Sequence, residues 1–217
     1  HLNKSFLKRK VKNVIIRTMK IGLFTDCYLP ASFGVETSVE TFRKALEKIE
    51  HKIFIFAPYF PGYQDKNPRV FRFRSLKIVK KPEMRLAFPF LPVPVNSIKK
   101  IWKLKLDIIH TQTPFSMGFL GKFFASRQKI PILYTHHTDY PEYAKFYFKE
   151  KLVAPYLAEI LITNFSNLCD GVIAPSPKIK NYLISHGVKK PIFVLPTGVN
   201  LKIFKKSAEI KENFRKK

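Results

Sequence analysis

Residues 19–58 read MKIGLFTDCYLPASFGVETSVETFRKALEKIEHKIFIFAP, and the spacing of apolar residues in this stretch decides the fold class. Lys20–Thr25 is a short, mostly apolar run, the pattern of a buried strand. Asp26–Gly34 is a loop that holds Pro30 and Gly34. Glu36–Glu50 carries Val39, Phe42, Ala45, Leu46 and Ile49 at helical spacing, which gives one apolar stripe. His51–Ala57 is a second apolar run. Strand, loop, helix and strand in that order make a parallel βαβ unit.

The alternation continues downstream. Arg69–Arg74, Asp107–Gln112, Pro131–His136, Gly171–Ala174 and Ile192–Leu195 read as strands. Ser116–Arg127 reads as a helix, and Pro141–Leu168 as a long helix or helix pair. Ser176 has the position of an N-cap, with Pro177 at the first helical residue and Gly187 closing the helix. This order implies an α/β fold with a Rossmann-like parallel sheet covered by helices on both faces. Two regions depart from it. Arg69–Lys105 carries eleven basic residues and one acid, and its Leu86–Val95 segment is interrupted by Pro89, Pro92 and Pro94, so an extended loop is expected there. Asn200–Lys217 is a basic tail. The expected organisation is a basic extension over 1–18, a folded domain over 19–200, and a tail or the start of a further domain over 201–217.

The chain of 217 residues has 40 Lys+Arg against 15 Asp+Glu, a net charge of +25. Such a field attracts polyanions, either nucleic acid or an anionic membrane. No zinc-finger or RNA-recognition signature accompanies the charge, so a nucleic-acid partner is not expected. Cys27 and Cys169 form no disulfide framework, and a reducing cytosol is the expected setting. No Cys/His/Asp spacing suggests a metal site, so neither metal nor cofactor is expected.

Ligands of open α/β sheets bind beyond the carboxyl ends of the strands. The polar clusters at those places are Asp26–Gly34, His110-Thr111-Gln112-Thr113, Thr135-His136-His137-Thr138-Asp139 and Pro175-Ser176. All four fall on one edge of the sheet. Gly34 either permits a turn or lets backbone amides approach a phosphate at the start of the following helix. His136 and His137 are adjacent on an extended segment and point to opposite faces, so one enters the cleft while the other packs.

Residues 19–58 resemble the opening of glycosyltransferase family 4, in particular its diacylglycerol glucosyltransferase and phosphatidylinositol mannosyltransferase-like members. Further matching motifs follow in order: Ile109–Ser116, Tyr134–Thr138, Val172–Ser176 and Leu195–Asn200. The resemblance spans about Met19 to Phe204. It departs at Phe33, where the family has Asn before Gly-Val, at Pro141-Glu142, where it has an acidic pair, and at Asn200, where it has Asp.

The resemblance implies the N-terminal, acceptor-side domain of a two-domain GT-B enzyme. Such an enzyme transfers a hexosyl group from a nucleotide-sugar donor, with retained configuration and no metal, to a lipid acceptor such as diacylglycerol. It implies His137 as the catalytic contact and Gly34 and Val35 beside the donor diphosphate. Asp26, His110, Thr113 and Thr138 would face the acceptor. The second, donor-binding domain is expected after Asn200, so the chain alone is expected to be incomplete for turnover, with a separate chain as one possible source of that domain. Arg72, Arg74, Lys77, Lys80, Lys81, Arg85, Lys99, Lys100 and Lys103 are expected to meet an anionic membrane on its cytoplasmic face. A non-catalytic membrane or partner-binding module is the alternative.

Overall fold

The computed structural model describes residues 17–31, 34–78, 81–88, 95–137, 139, 141–142, 144 and 153–198, side chains excepted at 81–84, 95–98 and 100. In chain order the elements are β1 (Lys20–Phe24), α1 (Gly34–Glu47), β2 (Lys52–Pro58), β3 (Val70–Phe73), β4 (Ser75–Ile78), β5 (Lys81–Ala87) and α2 (Val95–Leu104). There follow β6 (Ile108–Thr111), α3 (Ser116–Gln128), β7 (Ile132–Thr135), α4 (Val153–Leu168), β8 (Gly171–Ala174), α5 (Pro177–Ser185) and β9 (Ile192–Val194).

Seven strands form one parallel sheet in the order β3-β2-β1-β6-β7-β8-β9. The chain builds outward from β1 to β3, then returns to lay β6 on the other side of β1. The β1/β6 boundary is therefore the topological switch point, where the loops leaving the two strands part and open a crevice. Leu23 sits between Ile55 and His110 in register, so residues 25–27 and 112–113 emerge side by side.

Side chains of β1 alternate between two cores. Ile21 and Leu23 join Tyr28, Val39, Ile53 and Ile55 on the α1 face. Phe24 joins Phe56, Phe73, Ile109, Phe124, Tyr134 and Phe165 on the other. There the Phe24 and Phe56 rings stack at 4.3 Å, and Phe56 and Phe71 at 5.2 Å. Burial on both faces is why β1 and β2 carry near-continuous apolar runs.

The Arg69–Lys105 region holds more regular structure than the sequence analysis expects. β4 and β5 pair antiparallel, with Leu76 opposite Leu86, and α2 follows. The expected loop is thereby shortened: Leu86 and Ala87 end a strand and Val95 begins a helix, while residues 89–94 lie outside the described residues. Ile101 is fully buried and places α2 on the sheet. Of the long helix expected over Pro141–Leu168, α4 is the C-terminal part. It leaves Val153, Tyr156 and Leu157 largely exposed at helical spacing.

α3 packs very closely on the loop after β6. A methyl group built on Gly118 would stand 2.1 Å from the Thr113 carbonyl oxygen. Alanine in a helix usually gains up to about 1 kcal/mol over glycine. At Gly118 the contact reverses that sign, and Gly118→Ala is expected to cost about 1–3 kcal/mol as helix and loop are forced apart. The check is a lower urea midpoint at unchanged denaturant slope.

Candidate functional site

The first thing the switch point holds is a buried carboxylate. Asp26 follows β1, and its Oδ2 accepts the Thr113 hydroxyl at 2.6 Å. Its Oδ1 accepts the Ser116 hydroxyl, and the Met117 amide donates to the carboxylate at 3.2 Å. In return the Asp26 amide donates to Thr113 Oγ1 at 2.9 Å. Ser116 and Met117 open α3, and Phe115 at its N-cap supplies no side-chain cap. Asp26 thus caps that helix from 90 residues away. Burial raises its carboxyl pKa, while the Ser116, Thr113 and Met117 bonds pull it down.

These contacts show what the residues assigned to the acceptor do within the domain. Asp26 and Thr113 are buried and spend their polar atoms on each other and on α3. His110 is also buried, its Nε2 2.6 Å from Thr135 Oγ1 and its ring edge-on to Phe42 at 5.5 Å. All three thus take part in the framework beneath the crevice, with the hydrogen bonds named here made inside the domain. Thr138 lies outside the described residues.

Above this frame lie the two histidines after β7. The His136 amide donates to the Ile173 carbonyl at 2.9 Å, which continues the pairing of β7 with β8. On that extended backbone the neighbours diverge, as their adjacency implies. His136 is buried against Tyr134. His137 is half-buried, with Nε2 2.7 Å from Gln112 Oε1. Burial pushes the pKa of His110 down to about 3, with His137 adding to the effect. It pushes His136 and His137 down to about 4. All three rings are neutral near pH 7, so they serve as hydrogen-bonding groups and not as cations.

Gly34 is the first residue of α1 and is exposed, with nothing within 4 Å of where a Cβ would stand. Val35 packs on the α1-side core. The first turns of α1 also bury Glu36, whose carboxyl pKa is raised by burial, and Ser38, whose hydroxyl has no partner among the described residues. Gln112, Glu36 and Ser38 are absent from the sequence-based assignments. Gln112 did lie in a cluster after a strand, whereas nothing in the helix pattern distinguishes Glu36 or Ser38 from ordinary surface positions.

The basic residues divide. Arg72 faces inward: it donates to Asp65 at 2.7 and 2.8 Å, to Pro58 O at 2.8 Å and to Leu29 O at 2.7 Å. It also lies over the Tyr28 and Tyr63 rings. This corrects its assignment to the membrane surface, because a guanidinium so engaged fastens loops. Arg85 is likewise half-buried, donating to Ser75 and lying over Phe60. Arg74, Lys77, Lys99 and Lys103 are exposed. Lys80 and the side chains of Lys81 and Lys100 lie outside the described residues. Among the described residues no helix is long and apolar enough to cross a membrane, and no group of three His, Cys, Asp or Glu could hold a metal ion.

A family model described as Glycosyltransferase Family 4 matches residues 34–203. The chain is 37% identical over 202 residues to an alpha-monoglucosyldiacylglycerol synthase of Streptococcus pneumoniae, covering 91% of this chain and 44% of that protein. It is 34% identical over 203 residues to the enzyme of the same name from Acholeplasma laidlawii, covering 89% of this chain and 50% of that protein. The chain therefore spans about half the length of these curated relatives. Among solved structures, sucrose-phosphate synthase from Thermosynechococcus elongatus shares the fold at a TM-score of 0.65 and 18% identity, over 92% of this chain and 53% of that one.

The three histidines couple stability to pH. Their folded pKa values lie below the unfolded value of about 6.5. The stability they contribute is whole above about pH 6.5 and is lost as pH falls toward 4, because the unfolded chain then binds the extra protons. Asp26 and Glu36, with raised carboxyl pKa values, act in the opposite sense. The decisive readout is therefore a difference. His110→Asn is expected to flatten the fall in unfolding free energy between pH 6.5 and 4.5 by about 1.4 kcal/mol per pH unit, one proton's worth. Urea titrations across that range measure it.

Proposed function

The chain belongs to glycosyltransferase family 4, and on that footing we propose that it forms the acceptor-side half of a GT-B transferase that moves a hexosyl group from a nucleotide sugar to a lipid hydroxyl such as that of diacylglycerol. The observation that carries this reading is the placement of residues at the β1/β6 switch point, where such sheets open a crevice. On one side is the open amino end of α1 at Gly34; at the carboxyl ends of β6 and β7 are Gln112 and His137. Two relatives named for glucosyldiacylglycerol synthesis support the lipid acceptor.

In the proposed reaction the acceptor oxygen bonds to the sugar's anomeric carbon as the bond from that carbon to the diphosphate oxygen breaks, with configuration retained. Negative charge grows on the leaving diphosphate. The backbone amides at the amino end of α1 suit that charge, and nothing stands within 4 Å of where a Cβ at Gly34 would lie. His137 is neutral, so it meets a sugar or acceptor hydroxyl by hydrogen bonding and supplies no cation. No metal ion takes part in this proposal.

The membrane reading rests on Arg74, Lys77, Lys99 and Lys103 together with exposed Leu76, Ile78 and Leu86 on the hairpin and exposed Trp102 on α2. Each base near an anionic leaflet contributes about 1 kcal/mol, and the apolar groups add shallow insertion. We place the chain on the cytoplasmic face of a membrane, as a peripheral protein.

Transfer of labelled hexose from UDP- and GDP-sugars to diacylglycerol in anionic vesicles, by this chain joined to the donor-binding domain of a glycosyltransferase family 4 relative, tests the reaction. Transfer is expected to fall about 100-fold or more in His137→Ala. Gly34→Glu is expected to impair donor use at an unchanged urea midpoint, because the position is open. Transfer that neither substitution alters overturns the site, and absence of both transfer and vesicle binding overturns the function.

Vesicle sedimentation tests the surface. Replacing Lys77, Lys99 and Lys103 together with Gln is expected to weaken binding on the order of 100-fold at low salt, from about 1 kcal/mol per base removed. Salt is expected to weaken the wild-type chain in the same direction.

A further inference from the structure

Gln112 is fully buried at the end of β6, at the switch point. Its backbone amide donates to the Phe24 carbonyl at 2.8 Å, which locks it to the end of β1. Its side chain reaches the first residue of the crevice, His137, through Oε1 and Nε2 at 2.7 Å. An amide oxygen only accepts, so the ring nitrogen facing it carries the hydrogen. In the neutral ring the other nitrogen, Nδ1, then holds a lone pair.

The remaining atom of the Gln112 amide is equally informative. Nε2 is buried and donates to nothing among the described residues. A buried donor left unpaired costs about 1–3 kcal/mol. Rotating the amide by half a turn does not remove the problem, since Oε1 would become the unpaired atom. One amide group therefore serves His137 with one end and leaves the other without a partner among the described residues, so its contact with His137 is the one hydrogen bond of that side chain among them.

We infer that Gln112 is a positioning residue of the proposed site, holding His137 as the Nε2–H tautomer so that Nδ1 is presented to a ligand hydroxyl as an acceptor. The inference rests on the reading of the crevice as a glycosyl-transfer site, but the tautomer itself is a property of the chain without substrate. The closing experiment can therefore fail without bearing on transfer, and transfer can fail without bearing on it.

Long-range proton–nitrogen correlation spectra of the histidine-labelled chain at pH 7, with His137 identified by its loss in His137→Gln, report which ring nitrogen carries the proton. We expect Nε2 protonated and Nδ1 bare in the wild type. Gln112→Glu keeps an acceptor at the same place and is expected to keep Nε2 protonated. Gln112→Met has similar bulk and no acceptor, and is expected to give the averaged signals of a ring exchanging between tautomers. A wild-type ring protonated on Nδ1, or one whose tautomer is the same in Gln112→Met, overturns the inference. Should Gln112→Met fail to fold, the wild-type and Gln112→Glu spectra still decide it, because a ring protonated on Nδ1 and bare on Nε2 in either contradicts the assigned role, whereas the carboxylate of Gln112→Glu is free to add a second proton to the ring.

Discussion

The carboxylate of Asp26 is the point on which the rest of the crevice depends. Burying a charge is costly unless it is paired and hydrogen-bonded. Here the compensation comes from two hydroxyls, the Met117 amide and the amino end of α3. Because Phe115 offers no cap of its own, the helix needs this distant partner as much as the carboxylate needs the helix. The bond ties the loop after β1 to the loop after β6, at the one place in the sheet where adjacent strands send their connections apart. Removing one donor would leave the buried carboxyl short of a hydrogen bond, which costs more than the net value of that bond. The switch point thereby gains a floor fixed by hydrogen bonds between its two loops.

From that floor the geometry propagates by backbone. Gln112 is held to Phe24, and His136 to Ile173, each by an amide–carbonyl bond that extends strand pairing past the strand's end. Extended backbone sends His136 inward and His137 to the crevice. The position of His137 is thus inherited from the sheet, with Gln112 adding its orientation. Neutral rings suit the division of labour proposed for transfer. Charge on a leaving diphosphate falls to the backbone at the amino end of α1, where no protonation state has to be maintained.

Much of this was legible in the sequence, for a physical reason. Strands of a parallel sheet are buried on both faces and so appear as short apolar runs between helical stripes, and β1, α1, β2, β6, α3, β7, β8 and α5 fall close to their expected places. The convergence of polar residues on one sheet edge was legible too, because it follows from strand direction. What escaped is non-local or locally contradictory. The role of Asp26 depends on residues 87 to 91 positions away. α2 was hidden behind three prolines, although Ile101 and Leu104 carry helical spacing. The β4–β5 hairpin does alternate, as in Ser75-Leu76-Lys77-Ile78, but the run is only four residues long and its apolar members are exposed, so it does not mark a core strand.

Net charge illustrates the same limit. A surplus of 25 positive charges is a statement about the chain, whereas binding depends on where each charge ends up. Arg43 is spent on Glu40 and Glu47, and Arg72 on Asp65, two carbonyls and two tyrosine rings. A planar guanidinium with several donors is suited to such fastening, while lysine, a compact and strongly hydrated charge, tends to stay outside. In the Arg69–Lys105 stretch, Arg72 and Arg85 turn inward, while Arg74, Lys77, Lys99 and Lys103 remain in solvent. Arg72 and Arg85 hold the shape of the hairpin end of the domain, and the exposed bases give that shape its field. A substitution in this stretch therefore acts on stability or on attraction according to which of the two it removes.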